Sequence, residues 1–241
     1  MAQRTLRTGL TGSALMRLLA GLTDPQVRWS ESRAAFADGL SQWTGWADAI
    51  ALSAALDRPL AKSPTSGDEE PLRYEEAYAE YQRVRALLAR AIVREAGAVG
   101  RSPLDAGLGF SPYRQCYVAR QQAMDVAIGP LREQVRAALA AGTPELARLA
   151  AVDTVMAQVL SNQERRLLAT VPLLLEKHFG RLRAALASGA GDGPGSEDGA
   201  WLDLFRQDLQ AVLLAELELR LQPVEGLVEA LRHNEPLRSL S

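Results

Sequence analysis

Apolar residues recur along this chain at steps of three and four, the spacing of helices that bury one face. Phe36, Leu40, Trp43, Ala47, Ile50 and Ala54 form one such stripe, on a helix expected to begin near Ser30. Tyr74, Tyr78, Tyr81, Val84, Leu88 and Ile92 form a second. Tyr113, Tyr117, Arg120, Met124, Ala127, Leu131, Val135 and Ala138 form a third, with a kink predicted at Gly129 and Pro130. Thr143 followed by Pro144 and Glu145 reads as a helix start, a capping hydroxyl before a proline at the first helical position. From there a single helix is expected to reach Ala187, about 65 Å at 1.5 Å per residue, bent where Pro172 removes a donor.

The last predicted helix runs from Ala200 to about Arg232. It carries Leu202, Phe205, Leu209 and Leu213, then a seam of Leu214, Leu217, Leu221, Val224, Val228 and Leu231 interrupted by Pro223 and Gly226. Such a seam exposes too much apolar surface to stand alone, so the segment is expected to dock on the middle helices of its own chain or of a second copy. At the other end, Arg4 and Arg7 precede the apolar stretch Leu10 to Leu22, but Arg17 cuts that stretch, which fits a mature helix better than a signal peptide. Alternating strand patterns and fixed-period repeats are absent from the sequence. The fold class expected is all-α, an elongated helical bundle with long, partly coiled-coil-like helices and no sheet.

Turn-forming residues divide the pattern. Arg58 to Pro71 and Ser188 to Gly199 are rich in Gly, Pro, Ser and acids, the composition of exposed connectors. The expected organisation is an N-terminal helical region (1–60), a linker (61–71), a central long-helix region (72–187), a flexible Gly-rich linker (188–199) and an acidic C-terminal helical segment (200–241). A further loop is expected between Gly97 and Pro112.

Composition sharpens this picture. Ala and Leu number 40 and 39 of 241 residues against 5 % aromatics, a strong helix bias that disfavours an all-β or doubly wound fold. The formal net charge is only -2, which gives no strong field toward nucleic acid or anionic lipid. The charge is unevenly distributed, however. Residues 72–187 hold 16 basic and 11 acidic side chains (+5), whereas residues 188–241 hold 4 and 10 (-6). Blocks of opposite sign can complement one another within a chain or between subunits.

Candidate chemistry is sparse. One cysteine and two histidines cannot build a closed Cys/His zinc site within one chain, although carboxylate metal sites remain open. No Gly-Lys-Ser/Thr phosphate loop occurs, and the alternating glycines from Gly189 to Gly195 follow a helix rather than a strand. Cys116 has no sequence-near base and reads as a packing residue, while Ser111 before Pro112 reads as a helix cap. Glu229 and His233 read as a surface pair. His178, between Lys177 and Arg181 in surroundings that look cationic, reads as structural or partner-facing. Glu75 and Glu76 diverge on a helix and offer no acid–base pair, and Trp43 and Trp46 read as packing residues. Two sets of residues are the main candidates: a partner surface of Asn162, Gln163, Glu164, Arg165, Arg166, Arg181 and Arg183, and the assembly seam already named. No catalytic residue, cofactor or metal ligand is expected.

Three strings, RTGLTGSALMRLLAGLTD (Arg7 to Asp24), LSQWTGWADAIALSAAL (Leu40 to Leu56) and NQERRLLATVPLLLEKHFGRLR (Asn162 to Arg183), together resemble an uncharacterised family of proteobacterial proteins, a domain of unknown function. The resemblance extends over nearly the whole chain outside the Gly-rich linker. It carries no functional residue. It implies a context: members tend to be encoded near proteins similar to proton-driven inner-membrane motor subunits and to peptidoglycan-binding outer-membrane-like proteins.

The function expected is that of a non-catalytic helical scaffold or adaptor, a cytoplasmic partner of an inner-membrane cell-envelope complex, acting through a protein partner or self-association. No apolar run approaches the roughly 20 residues of a membrane span, so any membrane location would be peripheral and through that partner. The alternative from another class is a nucleic-acid-binding regulator that uses the basic central helices, and a third is an enzyme with a carboxylate-built site.

Overall fold

The computed structural model describes residues 14–22, 46–57, 73–101, 109–187 and 200–234. Among them are seven helices and no strand: α1 (Ala14–Leu22), α2 (Trp46–Leu56), α3 (Tyr74–Ala98), α4 (Ser111–Ala140), α5 (Pro144–Leu168), α6 (Val171–Ala187) and α7 (Ala200–Asn234). The all-helical class read from periodicity is the class observed, and the helices pack on one another as a bundle. The predicted linkers 61–71 and 188–199 lie outside the described residues, as do Phe36, Leu40 and Trp43.

Helix α7 is the axis of the bundle. It packs along α3 and α4 and also meets α1 and α6. Phe205, Leu209, Leu213, Leu217, Leu221 and Val224 are fully buried on it. It continues through Pro223 and Gly226, where an interrupted seam was expected. Both residues are exposed, so the hydrogen bond that proline cannot donate is lost on the solvent side, where water can serve the freed carbonyl. Pro130 is likewise carried inside a single α4.

Helix starts follow local chemistry. The Glu76 side chain accepts from the Arg73 backbone N–H at 3.4 Å, closing the first turn of α3. The Thr143 hydroxyl caps α5 by accepting from the Leu146 N–H at 3.5 Å, with Pro144 at the first turn as expected. Ser111 is not a cap. It is the first residue of α4, Phe110 occupies the capping position without a side-chain bond, and Pro112 lies in the first turn. Gly100, after α3, has a φ of 71°, and a Cβ there would stand 2.1 Å from the Tyr113 hydroxyl, so this turn requires glycine.

Two predicted stripes shift. On α3 the buried line is Ala77, Tyr81, Val84, Leu88, Ile92 and Ala96; Tyr78 is largely exposed and stacks on Tyr74 with ring centroids 5.7 Å apart. On α2, Ile50 is 54 % exposed, and among the described side chains of that helix Ala55 is the buried one. Helix α2 packs against α5 and is apolar nearly all round, so its sequence carries no polar face to fix its rotation.

The expected continuous helix to Ala187 is two helices meeting at a corner, Ala169–Thr170. At the corner the Leu167 carbonyl accepts both the Thr170 amide at 3.1 Å and the Thr170 hydroxyl at 2.6 Å. The Thr170 carbonyl then starts α6 by accepting from Leu173 and Leu174. Pro172 has no N–H with which to reach back to the Leu168 carbonyl, and the Gln121 side chain of α4 donates to that carbonyl instead, at 3.5 Å. Proline and threonine together therefore end one helix and begin another.

Candidate functional site

The polar cluster nearest the centre of the bundle joins α4 to α7. Tyr117, Gln121 and Asp125 step by four along α4, and Glu216 and Arg220 do the same on α7. Glu216 is 0 % exposed. One of its oxygens accepts from the Tyr117 hydroxyl. The other accepts from Gln121 Nε2 at 3.0 Å and from Arg220 Nε at 2.9 Å. Arg220 also reaches the Asp125 carboxylate. Burial, reinforced by the Glu216 charge, pushes the Tyr117 hydroxyl well above the ordinary tyrosine range, so it stays a proton donor. With its charge matched and both oxygens engaged, Glu216 ties two helices together.

A second tie sits at the end of the bundle that carries most of the aromatic rings among the described residues. Phe110, Tyr113, Phe179, Trp201 and Phe205 pack there, with Tyr113 and Phe205 edge to face at 5.1 Å. The His178 ring lies 5.9 Å from that of Phe205, and its Nε2 is 2.7 Å from Asp208 Oδ2 on α7. The cationic surroundings expected for His178 are thus not its closest charge: the nearest partner is a carboxylate brought in by α7. Nearby, Arg206 donates to the Val99 and Gly100 carbonyls at 2.9 and 3.3 Å and to Asp203 at 2.6 Å, capping the C-terminus of α3.

Pairing between the basic middle and the acidic end is partial. Arg85–Glu218 at 2.8 Å, Arg101–Asp203 at 3.5 Å and His178–Asp208 join the two blocks. The Arg220–Asp125 contact runs the opposite way, and Arg132 and Arg136 meet Asp153 within the middle block at 2.9 and 3.5 Å.

The candidate partner residues lie on α5 and α6, on either side of the corner. Asn162, Glu164, Arg165, Arg166, Arg181 and Arg183 are exposed and Gln163 is half-buried. Arg165 turns back on its own helix, donating to Ser161 O at 3.2 Å and Asn162 Oδ1 at 2.7 Å. Among the described residues, Arg166, Arg181 and Arg183 enter no ion pair. No hydrogen bond or ion pair links the α5 group to Arg181 and Arg183, which stand about 15 Å along α6 from its start. Sequence reasoning passed over the two leucines at the corner: Leu167 and Leu173 are each 54 % exposed. Two large apolar side chains beside a helix-terminating threonine and proline were the available signal.

The seam is spent within the chain. Leu217, Leu221, Val224, Val228 and Leu231 are buried and Leu214 is partly buried against the same core. Cys116 is half-buried on α4, and burial together with the Glu95 charge raises its thiol above the ordinary range, a setting that disfavours the thiolate. His233 Nδ1 lies 2.9 Å from the Glu229 carbonyl oxygen on the exposed end of α7. Among the described residues no group of three His, Cys, Asp or Glu side chains converges as a metal site, and no helix is long and apolar enough to cross a membrane. The side chains of Trp43 and Trp46 lie outside the described residues.

These features define an all-helical bundle that uses buried charges to tie helix to helix and leaves two exposed leucines at the α5–α6 corner and cations without an ion pair on α5 and α6. The chain belongs to the DUF3348 family, described as a protein of unknown function, whose family model matches residues 1–233. No curated protein and no solved structure matches it.

Proposed function

We propose that this chain is a non-catalytic helical scaffold or adaptor that works through a protein partner. The observation that carries this reading is the exposed surface of the α5–α6 corner, where Leu167 and Leu173 stand out to solvent with Arg166 on α5, and Arg181 and Arg183 follow further along α6, all three cations without an ion-pair partner among the described residues. Exposed apolar side chains on a surface that also carries unpaired charged groups are what a protein interface offers before its partner arrives. The buried carboxylate of Glu216, by contrast, is fully engaged by Tyr117, Gln121 and Arg220. A cytoplasmic location beside an inner-membrane cell-envelope complex is part of the proposal. It rests on the context of the proteobacterial family that the three sequence strings resemble.

The test is co-purification from the native cell, with and without membrane solubilisation, of the natural chain and of the triple variant Arg166→Glu, Arg181→Glu, Arg183→Glu. A protein partner that is retained by the natural chain and lost by the variant, with the helical spectrum unchanged, is the expected result. Recovery dependent on solubilisation would support the envelope arm. A partner set unchanged by the triple variant would reject this surface, and a salt-sensitive shift of DNA or RNA by the purified protein with no protein partner would favour the nucleic-acid regulator.

A further inference from the structure

We propose that the cavity between α4 and α6 is a binding site for a free α-amino acid with an aliphatic side chain, a ligand that the adaptor reading does not require. The two helices run antiparallel, since Tyr113 packs on Phe179 with rings 5.5 Å apart while Gln121 reaches the Leu168 carbonyl at 3.5 Å. Between them is a cavity of about 250 Å³. Helical spacing orders its lining into three layers: Gln121 and Ala169 at the corner, Val118, Pro172 and Leu173 in the middle, and Arg114 and Glu176 at the far end. The volume lies below the roughly 300–1,000 Å³ of sites that enclose a drug-sized ligand, and it suits a smaller molecule.

The order of charged and apolar layers selects the ligand. Arg114 and Glu176 line the same end from facing helices but form no ion pair with one another, and among the described residues neither side chain has a hydrogen bond or ion pair to another group. One guanidinium and one carboxylate together, with an apolar layer beyond them, match a molecule that carries both charges on one carbon and an uncharged tail. In a free α-amino acid the carboxylate meets the Arg114 fork, the ammonium meets Glu176, and the side chain lies along Val118, Pro172 and Leu173. Leu173 is 54 % exposed and Val118 36 %, so an aliphatic tail covers apolar surface that water now meets. Gln121 stands at the corner end with its Nε2 already donating to the Leu168 carbonyl and to Glu216, so a tail carboxylate finds no free donor from that group. A dicarboxylate or a diamine sets one of its charges against its like, and the residue at either end of a protein chain brings only one of the two charges. Both charged side chains are exposed, so binding should be weak, with a dissociation constant on the order of 1 mM, and sensitive to salt.

The experiment titrates L-leucine into the isotope-labelled full chain and follows amide and methyl chemical shifts. Two analogues are titrated in parallel: leucinamide, which lacks the carboxylate, and N-acetyl-leucine, which lacks the ammonium. They also stand in for the two ends of a protein chain. Leucine is expected to shift resonances of Val118 and Leu173 saturably and to bind about fivefold or more tightly than either analogue. Arg114→Gln should lose the preference for leucine over leucinamide while keeping that over N-acetyl-leucine, and Glu176→Gln should do the converse. Val126→Asp, which changes an exposed apolar residue of α4 outside the cavity, should bind all three ligands as the natural chain does. All three substituted positions are exposed, and unchanged circular dichroism checks that folding is intact. The proposal is overturned by the absence of saturable shifts up to about 20 mM leucine, by equal binding of the three ligands, or by variants that weaken all three alike. Preference for one analogue over leucine would assign the cavity to a chain terminus and overturn it as well. The adaptor reading is untouched by any of these outcomes, because Arg114 and Glu176 are not among the residues that carry it.

Discussion

Replacing Tyr117 by Phe removes one hydroxyl from the centre of the α4–α7 contact and leaves the packed ring in place. The hydroxyl donates to a Glu216 oxygen on a side chain that is 0 % exposed, so the variant leaves that oxygen without this donor where water does not reach. A hydrogen bond to a buried charged group is worth about 1.5–3 kcal/mol, a large part of a net stability of about 5–15 kcal/mol. The effect also has a pH signature. Burial first, and the Glu216 charge second, raise the folded-state pKa of Tyr117 above its unfolded value near 10. Below pH 10 both states keep the proton and the full contribution is present. Above it the unfolded chain loses a proton that the folded chain retains, so stability falls by about 1.4 kcal/mol per pH unit until the folded group itself ionises. The Phe variant lacks this group, and its stability should fall less steeply. Denaturant unfolding followed by circular dichroism between pH 7 and pH 11, with tyrosinate absorbance recorded alongside, measures both effects. Tyr81→Phe is the comparator, because burial also raises Tyr81 but its hydroxyl does not touch Glu216. Equal stability of natural chain and variant at pH 7, with parallel curves to pH 11, would refute the buried Tyr117–Glu216 tie.

Three further outcomes are expected. Phe205→Ala opens the aromatic end where Phe110, Tyr113, Phe179 and Phe205 meet, and should cost about 3–5 kcal/mol in thermal or denaturant unfolding. Gly100→Ala places a methyl group against the Tyr113 hydroxyl at a φ of 71°; it should destabilise by at least about 1 kcal/mol, and Tyr113→Phe should relieve part of that loss. Arg206→Met keeps most of the buried stem but uncaps the Val99 and Gly100 carbonyls, so amide exchange should rise in the last turn of α3 before the rest of that helix.

What was legible in advance follows from where each signal resides. Helical class and the lower seam of α7 are properties of spacing, and spacing is local. The Thr143 cap was legible for the same reason. The corner at Thr170 was not, because a proline within a helical pattern can bend a helix or end it. Here the outcome depended on Thr170 occupying the Leu167 carbonyl and on Gln121, 47 residues away, taking the Leu168 carbonyl. The rotation of α2 was hidden because its apolar residues surround the helix. Glu216 was the largest miss at the site. A charged residue three positions after Leu213 on an apolar face announces a buried partner, but only the fold could bring Tyr117 and Gln121 to it. The His178 surroundings were misjudged by counting sequence neighbours, when the decisive charge, Asp208, arrives on another helix.

The same long-range dependence decides what removal of α7 should do. On the sequence alone, truncation after residue 187 would either lower an oligomeric state or uncover an internal docking face. In the bundle, α7 contributes six apolar side chains at 0 % exposure, from Phe205 to Val224, and packs against α1, α3, α4 and α6. At about 1.5–3 kcal/mol for each buried side chain, those six supply on the order of 10 kcal/mol, comparable to the whole net stability of an ordinary domain. The loss also strips Glu216 from Tyr117 and Gln121, and Arg206 from the end of α3. A chain of residues 1–187 should therefore lose its cooperative melt and bind a hydrophobic dye while retaining much of its helical spectrum, the behaviour of a collapsed chain without fixed packing. Adding residues 200–234 as a separate peptide should restore a cooperative transition in a concentration-dependent way. A truncated chain that melts as sharply as the full one, with no added dye binding, would show that α7 is not the axis of this bundle.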